Sequence, residues 1–190
     1  MLFLYFAPRN TPMTIEYINT EEELLNYQLY HASRSERIKK KRKWSRLRFP
    51  IIMLALVIFT IFLQHYVHAA IYVAIGIAYL IWYSWYEPRH YRRHFHGYVR
   101  EHLKENDTIR ITIGPDDVHY TSAEGEASLR YSAFEEFVEL PNDILLRMGP
   151  QAIVLPHRSI QDLGAFTTFL KDLATRHSIK WMDDRNWVWK

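Results

Sequence analysis

The sequence predicts a membrane α-helical hairpin joined to a small cytoplasmic α+β domain, an antiparallel meander sheet capped by one C-terminal helix. Three observations carry this prediction. Two apolar runs without a charged residue, Phe49 to Leu63 and Ala69 to Tyr86, are separated only by residues 64–68. Dense positive charge flanks the outer side of both runs. Beyond residue 107 the apolar spacing changes from helical to alternating, punctuated by turn residues.

Charge is distributed in blocks. From Arg34 to Lys104 there are 14 Lys and Arg against the three acids Glu36, Glu87 and Glu101, a net +11. From Glu105 onward nine Lys and Arg face 14 Asp and Glu, a net −5. The overall +3 of the 190 residues therefore describes the flanks of the apolar runs. With no cysteine in the chain, disulfides, thiolate metal sites and cysteine nucleophiles are excluded, and a reducing compartment is expected.

The opening residues, MLFLYFAPRN, lack the basic start and small-residue cleavage site of a secretory signal. Residues 1–12 are expected to be disordered or a misassigned start. A strand and helix follow over 13–36. Thr14 to Ile18 alternates like a strand, Thr20 and Glu23 match a capping box, and a short amphipathic helix is expected from Glu21 to Arg34. The segment RIKKKRKWSRLR, 37–48, reads as a basic juxtamembrane collar, with Trp44 suited to headgroup depth.

The first span and its loop occupy 49–68, with Pro50 expected in the first helical turn, where its missing donor costs nothing. A hydrocarbon core takes about 20 helical residues, so each run recruits flanking residues to cross. The loop of residues 64–68 forces the second helix, 69–88, to return antiparallel. Ala70, Ala74 and Ala78 recur every four residues along it and are expected to form a packing face. Trp82, Tyr83, Trp85 and Tyr86 form an aromatic belt, and Glu87 with Pro88 is expected to end the helix.

Topology follows from Lys and Arg near the span ends. Nine precede the first span, five follow the second, and the loop has none. Both termini are therefore expected in the cytoplasm.

A polar helix is expected over 89–106 and a small domain over 107–190. Thr108–Ile113 alternates strictly before a Gly-Pro-Asp-Asp turn, and four-to-seven-residue strands are expected at Val118–Thr121, Ala127–Tyr131, Phe134–Leu140, Ile144–Met148 and Ala152–Leu155. Glu124 and Asp143 fall in the turns and are expected to be exposed. From Ser159, read as the N-cap, a helix of about 18 residues carries Ile160, Leu163, Phe166, Phe169, Leu170 and Leu173 on one face. Trp181, Trp187 and Trp189 follow, to pack under the sheet, dip into the interface or dock a partner.

The chemistry-bearing residues are few. His90 and His94 share a helical face with Glu101, a spacing that can hold zinc. Arg92, Arg93 and Arg100 crowd the same segment and oppose a cation, so the expectation is no metal and no cofactor. No phosphate loop and no nucleophile elbow is visible, and no catalytic residue is assigned. Lys39, Lys40, Lys41, Arg42, Lys43, Arg92 and Arg93 are expected to contact lipid headgroups, each attracted to an anionic surface by about 1 kcal/mol. The acidic C-terminal part would repel nucleic acid.

The order of these parts resembles the YcxB-like membrane proteins of bacteria. The resemblance rests on the strand and helix around Ile15 to Tyr30, the pair of spans, the strands around Tyr131–Phe137 and Ile144–Met148, and AIVLPHRSIQDLGAFTTFL from Ala152. It implies a pleckstrin-homology-like C-terminal domain and transfers no catalytic residue. The expected function is a non-enzymatic inner-membrane protein presenting a cytoplasmic interaction or regulatory domain, with the bilayer, a protein partner and a second copy as candidate partners. The alternatives are a metal-dependent membrane enzyme using the histidine-rich helix, and an accessory subunit of a transport assembly.

Overall fold

The computed structural model describes residues 12–103, 107–123 and 125–190. The expected disordered or misassigned start therefore lies outside the described residues, Pro12 excepted, and Glu124 lies outside them as well. The chain divides into two compact units, one of Met1–Tyr27 with His102–Val188 and one of Gln28–Glu101 with Trp189–Lys190.

In the first unit, β1 (Met13–Ile18), β2 (Thr108–Ile113), β3 (Asp117–Ser122) and β4 (Gly125–Arg130) make an antiparallel sheet in that order. The N-terminal strand joins the C-terminal sheet, pairing Ile15 with Ile111 and Tyr17 with Ile109. Alternation decides the face: Ile109, Ile111 and Ile113 are buried while Thr108 and Arg110 are exposed. Tyr131, in a short 3-10 turn, fixes the β2–β3 corner by donating its hydroxyl to the Gly114 carbonyl at 2.6 Å. A side chain at Gly114 would meet the Asp117 carbonyl at 3.2 Å, so the corner has little room for one.

The second sheet runs β7 (Gln151–Pro156), β6 (Asp143–Met148), β5 (Glu136–Glu139), β8 (Lys180–Asp183). The single meander expected from sequence is thus two four-stranded sheets. The central strands of the second sheet are buried on both faces, Phe137 and Val138 in β5 and Ile144, Leu145 and Leu146 in β6 all being inaccessible. Such strands lose the alternation that marks a half-buried strand. β8 pairs parallel to β5, Phe137 beside Trp181, and no turn signal in the sequence announces a parallel partner.

The capping helix, α4 (Leu163–Arg176), buries Phe166, Leu170, Leu173 and Ala174 at helical spacing against a core that includes Ile15, Ile111, Tyr131, Phe137 and Leu155. Its N-cap is Asp162, which accepts from the Ala165 backbone N–H at 2.9 Å, rather than Ser159. The Ser159 hydroxyl is already committed to the Pro156 carbonyl at 2.7 Å in a 3-10 turn, so the helix starts later and has 14 residues.

The second unit holds two long helices, α2 (Glu36–Phe62) and α3 (Tyr66–His102), 27 and 37 residues. Helix α1 (Glu21–Arg34) precedes them, its first half belonging to the other unit. The expected capping box is present: Glu23 N–H donates to Thr20 Oγ1 and Thr20 N–H to Glu23 Oε2. Both proline expectations are corrected. Pro50 stands in the interior of α2, because the basic collar is itself helical, and α3 runs through Pro88 to His102. Between the helices, Gln64 turns the chain at φ +61° and His65 N–H donates to the Thr60 carbonyl.

Candidate membrane hairpin and buried polar cluster

Helices α2 and α3 are both long and apolar enough to cross a membrane. Their facing side chains place Met53 beside Gly76, Phe49 on Tyr79 at 4.4 Å between ring centroids, and Arg46 Nη2 3.2 Å from Ser84 Oγ. Ala69, Tyr72, Gly76, Tyr79 and Tyr83 line the less exposed side of α3. Ala70, Ala74 and Ala78, the expected packing stripe, are exposed in the single chain. Gly76 allows a closer approach than alanine, and the tyrosines bury more area than alanines would.

Below the apolar part, Arg42 Nε bonds Glu87 Oε1 at 2.7 Å, with Glu87 nearly buried. Sequence reasoning grouped Arg42 with its neighbours as a headgroup ligand; the structure turns it inward. Its guanidinium also donates to the Lys190 carbonyl oxygen at 2.7 Å and lies 4.8 Å from the Trp189 ring centroid. The Trp189 indole N–H donates to the Pro88 carbonyl at 3.0 Å. The signal that would have found this pair is Glu87 itself, an acid set among aromatic residues and level with the basic collar.

The other expected headgroup ligands, Lys39, Lys40, Lys41, Lys43, Arg92 and Arg93, are exposed, Lys39 also pairing with Glu36 at 2.7 Å. His90 stacks on Tyr86, its Nδ1 3.2 Å from the phenol oxygen, and His94 and Glu101 are exposed farther along α3. Among the described residues no group of three His, Asp or Glu is arranged to hold a metal ion.

A second polar cluster lies inside the first unit. Arg158 Nε sits 2.6 Å from Glu23 Oε1, and its Nη2 donates to the Ile18 carbonyl at 2.6 Å. Burial raises the Glu23 carboxyl, but bonds from Arg158 and Thr20 outweigh it and hold the group below its usual range. Asp143 was expected in an exposed turn and is only 2% accessible. Its Oδ1 is buried without a hydrogen-bond partner among the described residues. Burial, with the Glu23 charge adding to it, pushes this carboxyl up to about 7. The Tyr17 hydroxyl donates to the Val154 carbonyl, and burial lifts it far above the ordinary phenol range. Burial lowers His157.

Residues 113–170 match the model of one protein family. That family is the YcxB-like proteins, to which this segment is similar. No curated protein and no solved structure matched the chain.

The YcxB-like segment runs from the end of β2 through β7 into α4. It contains Asp143, His157 and Arg158, whereas Tyr17 and Glu23 come from the strand and helix ahead of the apolar helices. The polar cluster is therefore built by the YcxB-like segment together with the N-terminal arm.

Proposed function

We propose that the chain is a non-enzymatic bacterial inner-membrane protein in which α2 and α3 cross the bilayer and present a pleckstrin-homology-like module to the cytoplasm as an interaction or regulatory domain. The observation that carries this reading is the pairing of β1 with β2, from Met13–Ile113 to Ile18–Thr108. These strands flank the two apolar helices in sequence, so a bilayer crossed by both helices leaves both strands on one side. Fourteen Lys and Arg flank the spans on that side and none lies in the connecting turn, which favours the cytoplasm. The antiparallel strand pairs and the C-terminal helix α4 support the pleckstrin-homology-like reading.

The chain has no cysteine, so single cysteines report topology cleanly. A membrane-impermeant maleimide is expected to label His65→Cys in intact cells and to label Asn142→Cys only after lysis. The reverse pattern overturns the orientation. Photo-crosslinking in cells from exposed Glu126 and Asn142 of the full chain, read by mass spectrometry, is expected to return one recurring protein partner. Lipid adducts or self-crosslinks alone overturn the adaptor reading.

A further inference from the structure

The two apolar runs are offset when the helices are laid side by side. Four contacts fix the register: Met53 faces Gly76, Phe49 faces Tyr79, Arg46 reaches Ser84, and Arg42 pairs with Glu87. Arg48 and Arg46 on α2 consequently stand level with the stretch Leu80–Ser84 of α3, which sequence alone places inside the second span. Trp82, Tyr83, Trp85 and Tyr86 stand level with the basic segment Arg42–Arg48, at the height where aromatic rings meet headgroups.

The layer free of charge on both helices is then Phe49–Leu63 on one side and Tyr66–Leu80 on the other. Each stretch rises about 22 Å at 1.5 Å per helical residue. An ordinary hydrocarbon core is about 30 Å thick. Its far edge is polar, with Gln64, His65 and His68 all exposed, so it cannot be extended there. At the near edge Arg46 and Arg48 recover a few ångströms at most by reaching outward.

We infer that this hairpin fits a bilayer with a hydrocarbon layer distinctly thinner than the ordinary one, and that it thins a thicker bilayer around itself. The inference rests on the membrane reading above. The uncharged run of α2, residues 49–63, sets this length, because the longer run of α3 reaches past it to the level of Arg46 and Arg48. A short apolar stretch is accommodated by thinning, by reaching side chains or by oligomerisation, and it sorts a protein toward thin membranes.

The test uses the full chain offered to a mixture of vesicles of phosphatidylcholine with one-fifth phosphatidylglycerol, carrying monounsaturated chains of fourteen, eighteen or twenty-two carbons. The vesicle classes are separated after insertion, and protein resisting alkaline extraction is measured in each. The expected result is recovery about fivefold or more higher in the fourteen-carbon than in the twenty-two-carbon vesicles. A double substitution, Arg46→Leu with Arg48→Leu, lengthens the charge-free layer and is expected to move the preference toward eighteen carbons. Equal recovery at all lengths, or a preference for the longer chains in the unsubstituted chain, overturns the thin-layer inference and leaves membrane anchoring intact. Loss of the protein from every vesicle class on alkaline extraction overturns the anchoring reading itself.

Discussion

Arg158 and Glu23 are 135 residues apart in sequence and lie 2.6 Å apart in the folded chain. The pair ties the YcxB-like segment to the first turn of α1, and the same guanidinium holds the Ile18 carbonyl at the end of β1. Arg158→Ala removes both bonds and leaves the mostly buried Glu23 carboxylate without its cation. The guanidinium is half exposed, which screens the loss. A destabilisation of about 1–2 kcal/mol is expected, read as a lower midpoint of urea unfolding, and Arg158→Lys recovers part of it.

Asp143 gives stability a pH dependence of defined sign. Its folded form holds the proton up to about pH 7 against an ordinary value of 3.8, so the native state binds more protons than the unfolded state between those values. The stabilising contribution is fully present below about pH 4, falls as pH rises toward 7, and changes little above that. Asp143→Asn, which cannot ionise, is expected to be more stable than the parent at pH 8, by up to on the order of 4 kcal/mol, and no more stable at pH 4. Unfolding midpoints across that range decide it; parallel pH profiles for the two proteins count against it.

Glu87→Ala leaves Arg42 poorly compensated between two helices. A loss of about 3 kcal/mol is expected, seen as a fall in the thermal midpoint in detergent. Removing both charges, as Arg42→Met with Glu87→Leu, is expected to cost less than either single change, because no unpaired ion remains. A double-mutant cycle with additive losses refutes the coupling.

Gly76 lies where a Cβ would stand 3.7 Å from the Met53 Cβ, ordinary contact distance. Gly76→Ala is expected to be tolerated, while Gly76→Leu forces the helices apart and lowers the thermal midpoint by several degrees. Equal behaviour of the two variants would mean that this contact does not set the helix spacing.

Much of the fold was legible in the sequence because its signals are local. The Thr20–Glu23 capping box, the bounds of α1, the alternation of Thr108–Ile113 and the apolar face of Phe166, Leu170 and Leu173 follow from spacing within one element. What escaped depends on partners distant in sequence. β8 is a strand because β5 lies beside it, Asp143 is buried because α1 packs near its turn, and Arg42 faces inward because Glu87 awaits it. Pro50 was misplaced for a related reason: residues 37–48 were read as a basic collar with the helix starting after it, although Lys and Arg are good helix formers and α2 begins at Glu36. The headgroup residues other than Arg42 were legible as exposed cations, since a run of like charge has nowhere to go but solvent.

The pairing of Ile18 with Thr108 also sets an order of events during synthesis. β1 leaves the ribosome first, and β2 follows only after about 90 further residues. At about 5–20 residues per second, that interval is roughly 5–18 s. Throughout it, β1 is a strand with no neighbour on the side β2 will occupy, the condition that invites pairing with another chain. Both apolar helices are made in the same interval. Closure of the first sheet therefore has to wait for the helices to be made, and if they cross a bilayer as proposed, a chain stalled with only one of them inserted would hold its two halves on opposite sides, unable to finish folding.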